Sequence, residues 1–349
     1  MKAAIIGTGS IARVHARALR RVAGVEIGAV CDLSPGLARC FAEQFGGVRW
    51  FGDHSELLAQ GKPDCVFVTT PILSHVPIAV DCLKAGAHVL VEKPIALGLD
   101  QWRTLRQAAE EAGRILVEDQ NYRFNGPVVH LREAIWRGQL GDIVHMDLVY
   151  CLPIHGKGSP FADRSLPNPL LKMPGGAILD FLPHMAYLVH ELVGRHDTVK
   201  TLWMKRDSET ILPHDEFRAM LKCERGTACI AFSSHAQPPA CHLRVFGTRM
   251  TFRCNLFEGS FVQERSAAKP GPLLYLRNGW RDSLGTALGA CRSLMRKLAD
   301  DPASYAGLRE FDRRFCVACA GKGTPPVSLD EIEGSVSLVD ALTREMQVA

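Results

Sequence analysis

The sequence predicts an α/β protein of two domains, the first a doubly wound, mainly parallel sheet. Three observations carry this. An apolar strand, Ala3-Ala4-Ile5-Ile6, runs directly into Gly7-Thr8-Gly9-Ser10-Ile11-Ala12. Strand-like and helix-like stretches then alternate as far as Glu118, the rhythm of βαβ units. Beyond Asn121 this gives way to consecutive strand-like runs with short links such as Glu224-Arg225-Gly226, which favours antiparallel pairing. A chain of 349 residues is long for one ordinary core and fits two, divided here as 1–122 and 123–349.

In order, the first part reads as helix 10–22, strand 25–31, helix 35–45, a short strand near Arg49 and a short helix 55–59. Strand 65–69, helix 74–85, strand 88–91, helix 100–112 and strand 115–118 complete it. The second part opens with helix 128–137 and strand 143–150, followed by a Pro/Gly-rich loop over 152–176 and helix 178–192. Strands are expected at 198–205, 216–223, 228–234, 242–246 and 250–254, then helices at 283–298, 306–319 and 329–344.

Composition narrows the class. Hydrophobic residues make up 47% of the chain and the formal net charge is +4, with basic residues scattered and not in blocks. That fits a soluble globular protein and argues against nucleic acid as a partner. Twelve cysteines lie dispersed in strand-like and helix-like stretches and read as buried free thiols. Cys316 and Cys319 form a CxxC with no second pair at zinc spacing, in a segment that reads as a helix, so no metal is expected. The first residues lack a secretion signal, and the most apolar later stretch, 177–193, is broken by Asp180, Pro183, His184, His190 and Glu191. A cytoplasmic protein with no membrane partner is the expectation.

The turn after the first strand is a dinucleotide-binding pattern. Gly7 permits the bend, Gly9 lets the backbone close on a pyrophosphate, and Ala12 is small enough for the helix to pack on the strand. Phosphate then sits on the N–H groups of the helix start at Ser10 and Ile11. Asp32 follows the second strand at about the twenty-residue remove at which an acid accepts hydrogen bonds from the adenosine ribose. An acid there repels a 2′-phosphate, which favours NAD over NADP. Its other reading is the N-cap of the helix starting near Pro35.

Three further places carry chemistry. Thr69-Thr70-Pro71 closes a parallel strand, where ligands of open sheets bind, although a Thr-Pro turn with Ser74 capping the next helix explains it equally. Glu92-Lys93-Pro94 ends the next strand on the same sheet edge; its ammonium can steady an alkoxide, and its other reading is a surface ion pair. Asp180 and His184 are four apart and share a helix face, with the imidazole suited to taking a hydroxyl proton near neutral pH. Pro183 fits a helix that starts close to Asp180, which puts the pair at a helix mouth; a helix-surface pair is the alternative. His190 and Glu191 read as structural.

Taken together, these marks resemble the Gfo/Idh/MocA oxidoreductases, the family of glucose-fructose oxidoreductase and inositol 2-dehydrogenase. The resemblance rests on Gly7 to Ala12, Thr70-Pro71 with His75, Glu92-Lys93-Pro94, Asn121-Tyr122-Arg123-Phe124, and Gly175-Gly176 with Asp180 and His184. It implies a Rossmann domain followed by a C-terminal α/β domain whose open, largely antiparallel sheet serves in homo-oligomer contacts. It also implies that Thr70, Pro71, His75 and Glu92 belong with the cofactor. His184 is then the proton acceptor in alcohol oxidation, Lys93 polarises the reacting oxygen, and Asp180 positions substrate or His184. Asn121, Tyr122 and Arg123 lie near cofactor and substrate.

The implied activity is NAD-linked hydride transfer at a secondary alcohol or ketone of a sugar, polyol or nucleotide-sugar. A redox-neutral NAD-dependent glycosidase or epimerase and a non-catalytic NAD-binding sensor are the rival readings. Discrimination among substrates is expected of the loop carrying His155, Lys157, Asp163 and Arg164. Arg281, Arg292, Arg296 and Lys297 read as a solvated helix face in preference to a site for a phosphate-rich ligand or partner.

Overall fold

The computed structural model describes residues 1–154, 173, 175–210, 212–265, 272–298, 305, 307–344 and 346, with backbone alone at 272, 274, 275, 292, 293, 296 and 297. It divides into two compact units, Met1–Asn121 with Leu308–Asp340, and Tyr122–Gly307 with Ala341–Ala349.

In the first unit, β1 (Lys2–Ile6), β2 (Glu26–Cys31), β3 (Arg49–Phe51), β4 (Cys65–Val68), β5 (His88–Val91) and β6 (Leu116–Glu118) form a parallel sheet in the order β3-β2-β1-β4-β5-β6. Reversal of strand order at β1 and β4 is the switch point at which such sheets bind ligands. The strands are short runs without a polar face because helices cover both sides, and β4 is buried along its whole length. The helices are α1 (Ser10–Leu19), α2 (Pro35–Gln44), α3 (His54–Gly61), α4 (His75–Lys84) and α5 (Leu99–Ala112). Ser34 caps α2 by accepting from Leu37 N–H, with Pro35 at the first helical position, and Asp53 caps α3 through Ser55 and Glu56 N–H. A 3-10 turn, Ile72–Ser74, leads into α4, and Ser74 makes no capping bond. Its hydroxyl instead donates to Pro71 O at 2.7 Å and lies 2.9 Å from the Thr70 hydroxyl.

The second unit holds a seven-stranded sheet in the order β13-β12-β11-β7-β10-β9-β8. Its strands are β7 (Ile143–Cys151), β8 (His196–Met204), β9 (Glu216–Cys223), β10 (Gly226–Ser233), β11 (Ala240–Gly247), β12 (Met250–Asn255) and β13 (Ser260–Arg265). β7 and β10 run parallel and the other neighbours antiparallel. Strict alternation of buried and exposed residues along β9 marks a half-covered sheet, with Phe217, Ala219 and Leu221 inward and Arg218, Met220 and Lys222 outward. The inner face takes α7 (Ala177–Val193), where Phe181 packs beside Tyr150 and Phe232. α6 (Gly126–Trp136) precedes β7, and α8 (Pro272–Leu298) follows β13.

Three expectations need correction. The expected second domain is not contiguous: α9 (Leu308–Cys319) and α10 (Leu329–Thr343), apart from its last three residues, belong with the first unit. The cause is chemical, since α9 brings Asp312 to His15 and sets Phe315 edge-on to Phe67, 5.5 Å between ring centres. Pro183 lies inside α7, seven residues into a helix capped at Gly176. Lacking an N–H, it omits one helical bond, and its buried neighbours hold the helix continuous. Finally, β13 and the first eleven residues of α8 were not expected. Both lie where Gly, Pro and charged residues interrupt the apolar pattern.

Candidate active site

Five of the expected cofactor residues occupy one turn. Gly7 has φ +91°, and a Cβ there would come within 2.8 Å of the Thr69 carbonyl and the Thr70 nitrogen. Only glycine fits, because the backbone is left-handed and the end of β4 is in contact. The Thr69 hydroxyl seals this approach, within 2.8 Å of Gly7 O and 3.1 Å of Ile6 O. Gly9 is different: its φ is −68°, and a Cβ would meet nothing within 4 Å. It caps α1 without a side-chain bond, and the first turn of α1 holds no acid. The N–H groups of Ser10 and Ile11 lie at this positive helix end with no side-chain cap, Ser10 being exposed, while Ala12 is fully buried. The turn fits the pyrophosphate of a dinucleotide.

Asp32 is not the cap of α2, a role held by Ser34. Its Oδ2 accepts from Thr8 N–H at 2.9 Å and from the Thr8 hydroxyl at 2.8 Å, and its Oδ1 accepts from Ser34 N–H at 2.9 Å. A carboxylate oxygen offers about two acceptor positions, so Oδ1 retains one for a ribose hydroxyl. Thr8 escaped the sequence reading, although a hydroxyl between the two glycines was the visible signal.

Thr70 and Pro71 stand at the carboxyl end of β4 as expected, but His75 is engaged behind them. Its Nδ1 lies 2.8 Å from Pro94 O and its Nε2 2.7 Å from Thr70 O, in a buried position. Burial pushes its pKa down. His75 stands between the Thr70-Pro71 loop and the Lys93-Pro94 turn with a carbonyl oxygen at each ring nitrogen, and the neutral ring donates its one N–H to one of them.

Glu92 likewise turns inward. One oxygen faces His15 Nε2 at 3.1 Å and the other accepts from Lys93 N–H at 3.0 Å. His15 Nδ1 reaches Asp312 at 2.9 Å, and His15 and Asp312 are both 0% exposed. Burial acts to lower the His15 pKa, but the charge and hydrogen bond of Asp312, followed by those of Glu92, overcome it and hold the pKa well above the usual value. Burial acts to raise the Glu92 pKa, and the hydrogen bond and charge of His15 hold it below the usual carboxylate value. An imidazolium between two carboxylates thus anchors the turn that presents half-buried Lys93. Asp119 lies nearby with its Oδ1 buried and unpartnered, and burial, then the Glu92 charge, raises its pKa well above normal.

Asn121 closes the first unit in a 3-10 turn, Asn121–Phe124, with its side-chain oxygen buried and unpartnered. In the second unit Tyr122 stacks on His184, ring centres 4.3 Å apart and planes 8° from parallel. His184 Nδ1 is 2.8 Å from the Tyr187 hydroxyl, whose oxygen also accepts from Tyr122 N–H at 3.2 Å. The Tyr122 and Tyr150 hydroxyls lie 2.7 Å apart. Tyr187 was missed by the sequence reading; its place three residues after His184, on the same helix face, was the available signal. Asp180 stands half-buried in the first turn of α7. Arg123 donates to Glu191 at 3.1 Å, and Arg132 donates to the same carboxylate at 2.6 Å, which gives Glu191 the structural role expected of it. His155, Lys157, Asp163 and Arg164 lie outside the described residues.

Residues 1–120 match the model of an oxidoreductase family with an NAD-binding Rossmann fold, and residues 128–253 match the GFO/IDH/MocA C-terminal domain. The D-glucoside 3-dehydrogenase of Escherichia coli is 35% identical over 144 residues, 41% of this chain and 41% of the relative. The D-apiose dehydrogenase of Paraburkholderia graminis is 31% identical over 140 residues, 40% of this chain and 37% of the relative. The chain therefore spans only about two fifths of the length of these curated relatives. In fold it is similar to the WlbA dehydrogenase of Bordetella pertussis, solved with NADH and UDP-GlcNAcA, with a TM-score of 0.82 and 22% identity, covering 100% of this chain and 96% of that one. It is also similar to a levoglucosan dehydrogenase solved with NADH and levoglucosan, with a TM-score of 0.81 and 18% identity, covering 100% and 97%. By both of its matched domains, the chain belongs to the Gfo/Idh/MocA oxidoreductase family.

Proposed function

We propose that the protein is an NAD-dependent oxidoreductase that moves a hydride between nicotinamide and a CH–OH carbon of a sugar, polyol or nucleotide-sugar. The turn at Gly7 and Gly9 carries this reading, because it combines a sealed bend, an open helix N-terminus and an acid 2.9 Å from Thr8 N–H. Bound NAD supplies the hydride acceptor. Asp32 receives the ribose and disfavours a 2′-phosphate.

The protein's own groups handle the proton and the charge. His184 Nδ1 lies 2.8 Å from the Tyr187 hydroxyl; in the tautomer protonated at Nδ1 the ring donates to that oxygen, and Nε2 is the atom that accepts the proton of the substrate hydroxyl. When the imidazolium forms, that same bond persists, so the ring stays oriented while it takes and returns the proton. The Lys93 ammonium steadies the oxygen as its charge develops, and Asp180 orients the substrate. Asn121, whose amide oxygen is buried and unpartnered, serves the same end. The protein acts in the cytoplasm as a homo-oligomer. In support of self-association, the sheet face away from α7 carries exposed Leu202 and Met220 beside Arg218.

The test is a panel of free and nucleotide-linked sugars and polyols added to the enzyme with NAD. Accumulation of NADH with one substrate class is the expected result. Release of an aglycone with no net NADH would replace this reading with the redox-neutral one.

A further inference from the structure

The segment 272–298 carries Arg277, Arg281, Arg292, Arg296 and Lys297 against one acid, Asp282. Folded as α8, at about 100° per residue, it sets Asn278, Asp282, Gly285 and Gly289 on one face. That face lies on the sheet. Asn278 donates to Arg265 O at 3.3 Å, Asp282 pairs with Arg253 of β12, and a Cβ on Gly285 would come 2.9 Å from Phe261 O. A Cβ on Gly289 would overlap Ser260. Small and polar residues are thus what α8 offers its own domain.

The apolar residues point the other way. Leu276, Trp280, Leu284, Leu288, Met295 and Leu298 recur at three- and four-residue intervals with a few gaps, and are between 49% and 74% exposed. Their mean direction is roughly 150° around the helix from the face on the sheet. A helix that belongs to a globular core turns its apolar stripe inward. α8 reverses this along about 33 Å, far beyond the isolated exposed leucines normal for a surface.

Charge chooses the occupant. Arg277 and Arg281 are exposed beside the stripe, and the single acid of the segment is spent on Arg253. A second copy of α8 would bring the same cationic edge against itself, whereas a surface of anionic headgroups over acyl chains meets both features. We propose that α8 is an interfacial helix that docks the protein on an anionic lipid surface, its Leu/Trp/Met stripe at the acyl boundary and Arg277 and Arg281 among the headgroups. This is docking and not spanning, since no helix among the described residues is long and apolar enough to cross a membrane. It revises the expectation of no membrane partner and of a merely solvated basic face at Arg281.

The experiment is flotation of the full chain with vesicles of phosphatidylcholine alone or with about a third phosphatidylglycerol. Binding to the anionic vesicles only, weakened by salt, is expected. The double variant Leu284→Glu/Leu288→Glu should bind at least about tenfold more weakly, and Arg277→Ala and Arg281→Ala roughly fivefold each, with unchanged circular dichroism and solution mass. Failure of the unaltered protein to bind anionic vesicles overturns the proposal. So does a stripe variant that keeps vesicle binding but drops to a smaller oligomer, which would make the stripe a contact between copies.

Discussion

Replacing Tyr187 with phenylalanine removes one oxygen and disturbs two groups at once. That oxygen is 2.8 Å from His184 Nδ1 and accepts Tyr122 N–H at 3.2 Å, in a region where Tyr122, His184 and Tyr187 are 5%, 6% and 2% exposed. A buried N–H left without a partner costs about 1–3 kcal/mol, and the lost bond to His184 adds about 1 kcal/mol. The variant should therefore be about 2–4 kcal/mol less stable in urea denaturation. The ring of His184 stays stacked on Tyr122 but is no longer held in rotation, so kcat should fall about 10–100-fold by analogy with the loss of other orienting groups. NAD affinity should hold, because the cofactor turn belongs to the first unit. Steady-state kinetics with the responsive substrate reads the split. A variant that loses stability but keeps full kcat would refute the orienting role, since the hydroxyl would then be structural only.

The glycines of the cofactor turn should separate fold from function. Gly7→Ala, with φ +91° and a contact at 2.8 Å, should cost more than about 2 kcal/mol, whereas Gly9→Ala, with open space around it, should stay within about 1 kcal/mol of the parent yet bind NAD poorly by calorimetry. Asp312→Ala strips a counter-ion from buried His15 and should cost about 3–5 kcal/mol in denaturant; Asp312→Asn, which keeps a hydrogen-bonding partner, should cost less. Burial, with the charges of His196 and Arg195, lowers the His190 pKa to about 4. The unfolded chain therefore binds the extra proton first as pH drops below about 6.5. That contribution to stability is complete above about pH 6.5 and lost down to about pH 4, amounting to about 3 kcal/mol, and His190→Gln should flatten the dependence in denaturation midpoints.

The first unit was legible because its signals are local. Gly7 and Gly9 mark the turn, and apolar runs such as Cys65–Val68 stand between polar helices, so strand ends came within a residue or two. What stayed hidden was the partner of His15: Asp312 lies 297 residues away, and nothing local in α9 says which unit its buried acid will serve. Local rules also placed Pro183 in a first turn, because they do not weigh the thirteen buried residues that hold α7 together. At the site, motif residues were found, yet the motif did not say which were spent internally. His75 and Glu92 face carbonyls, a ring and a backbone N–H, while Thr8, within the turn but given no role by the motif, and Tyr187, outside the motifs, do the orienting.

The most direct test compares the unaltered protein with His184→Ala in two measurements on the same samples, NAD affinity by calorimetry and single-turnover NADH formation with the responsive sugar. Affinity within about twofold of the unaltered protein and NADH formation slower by roughly 10²–10⁴ are expected. NADH formation at the unaltered rate in His184→Ala, or no NAD binding by the parent protein, would contradict the proposed function.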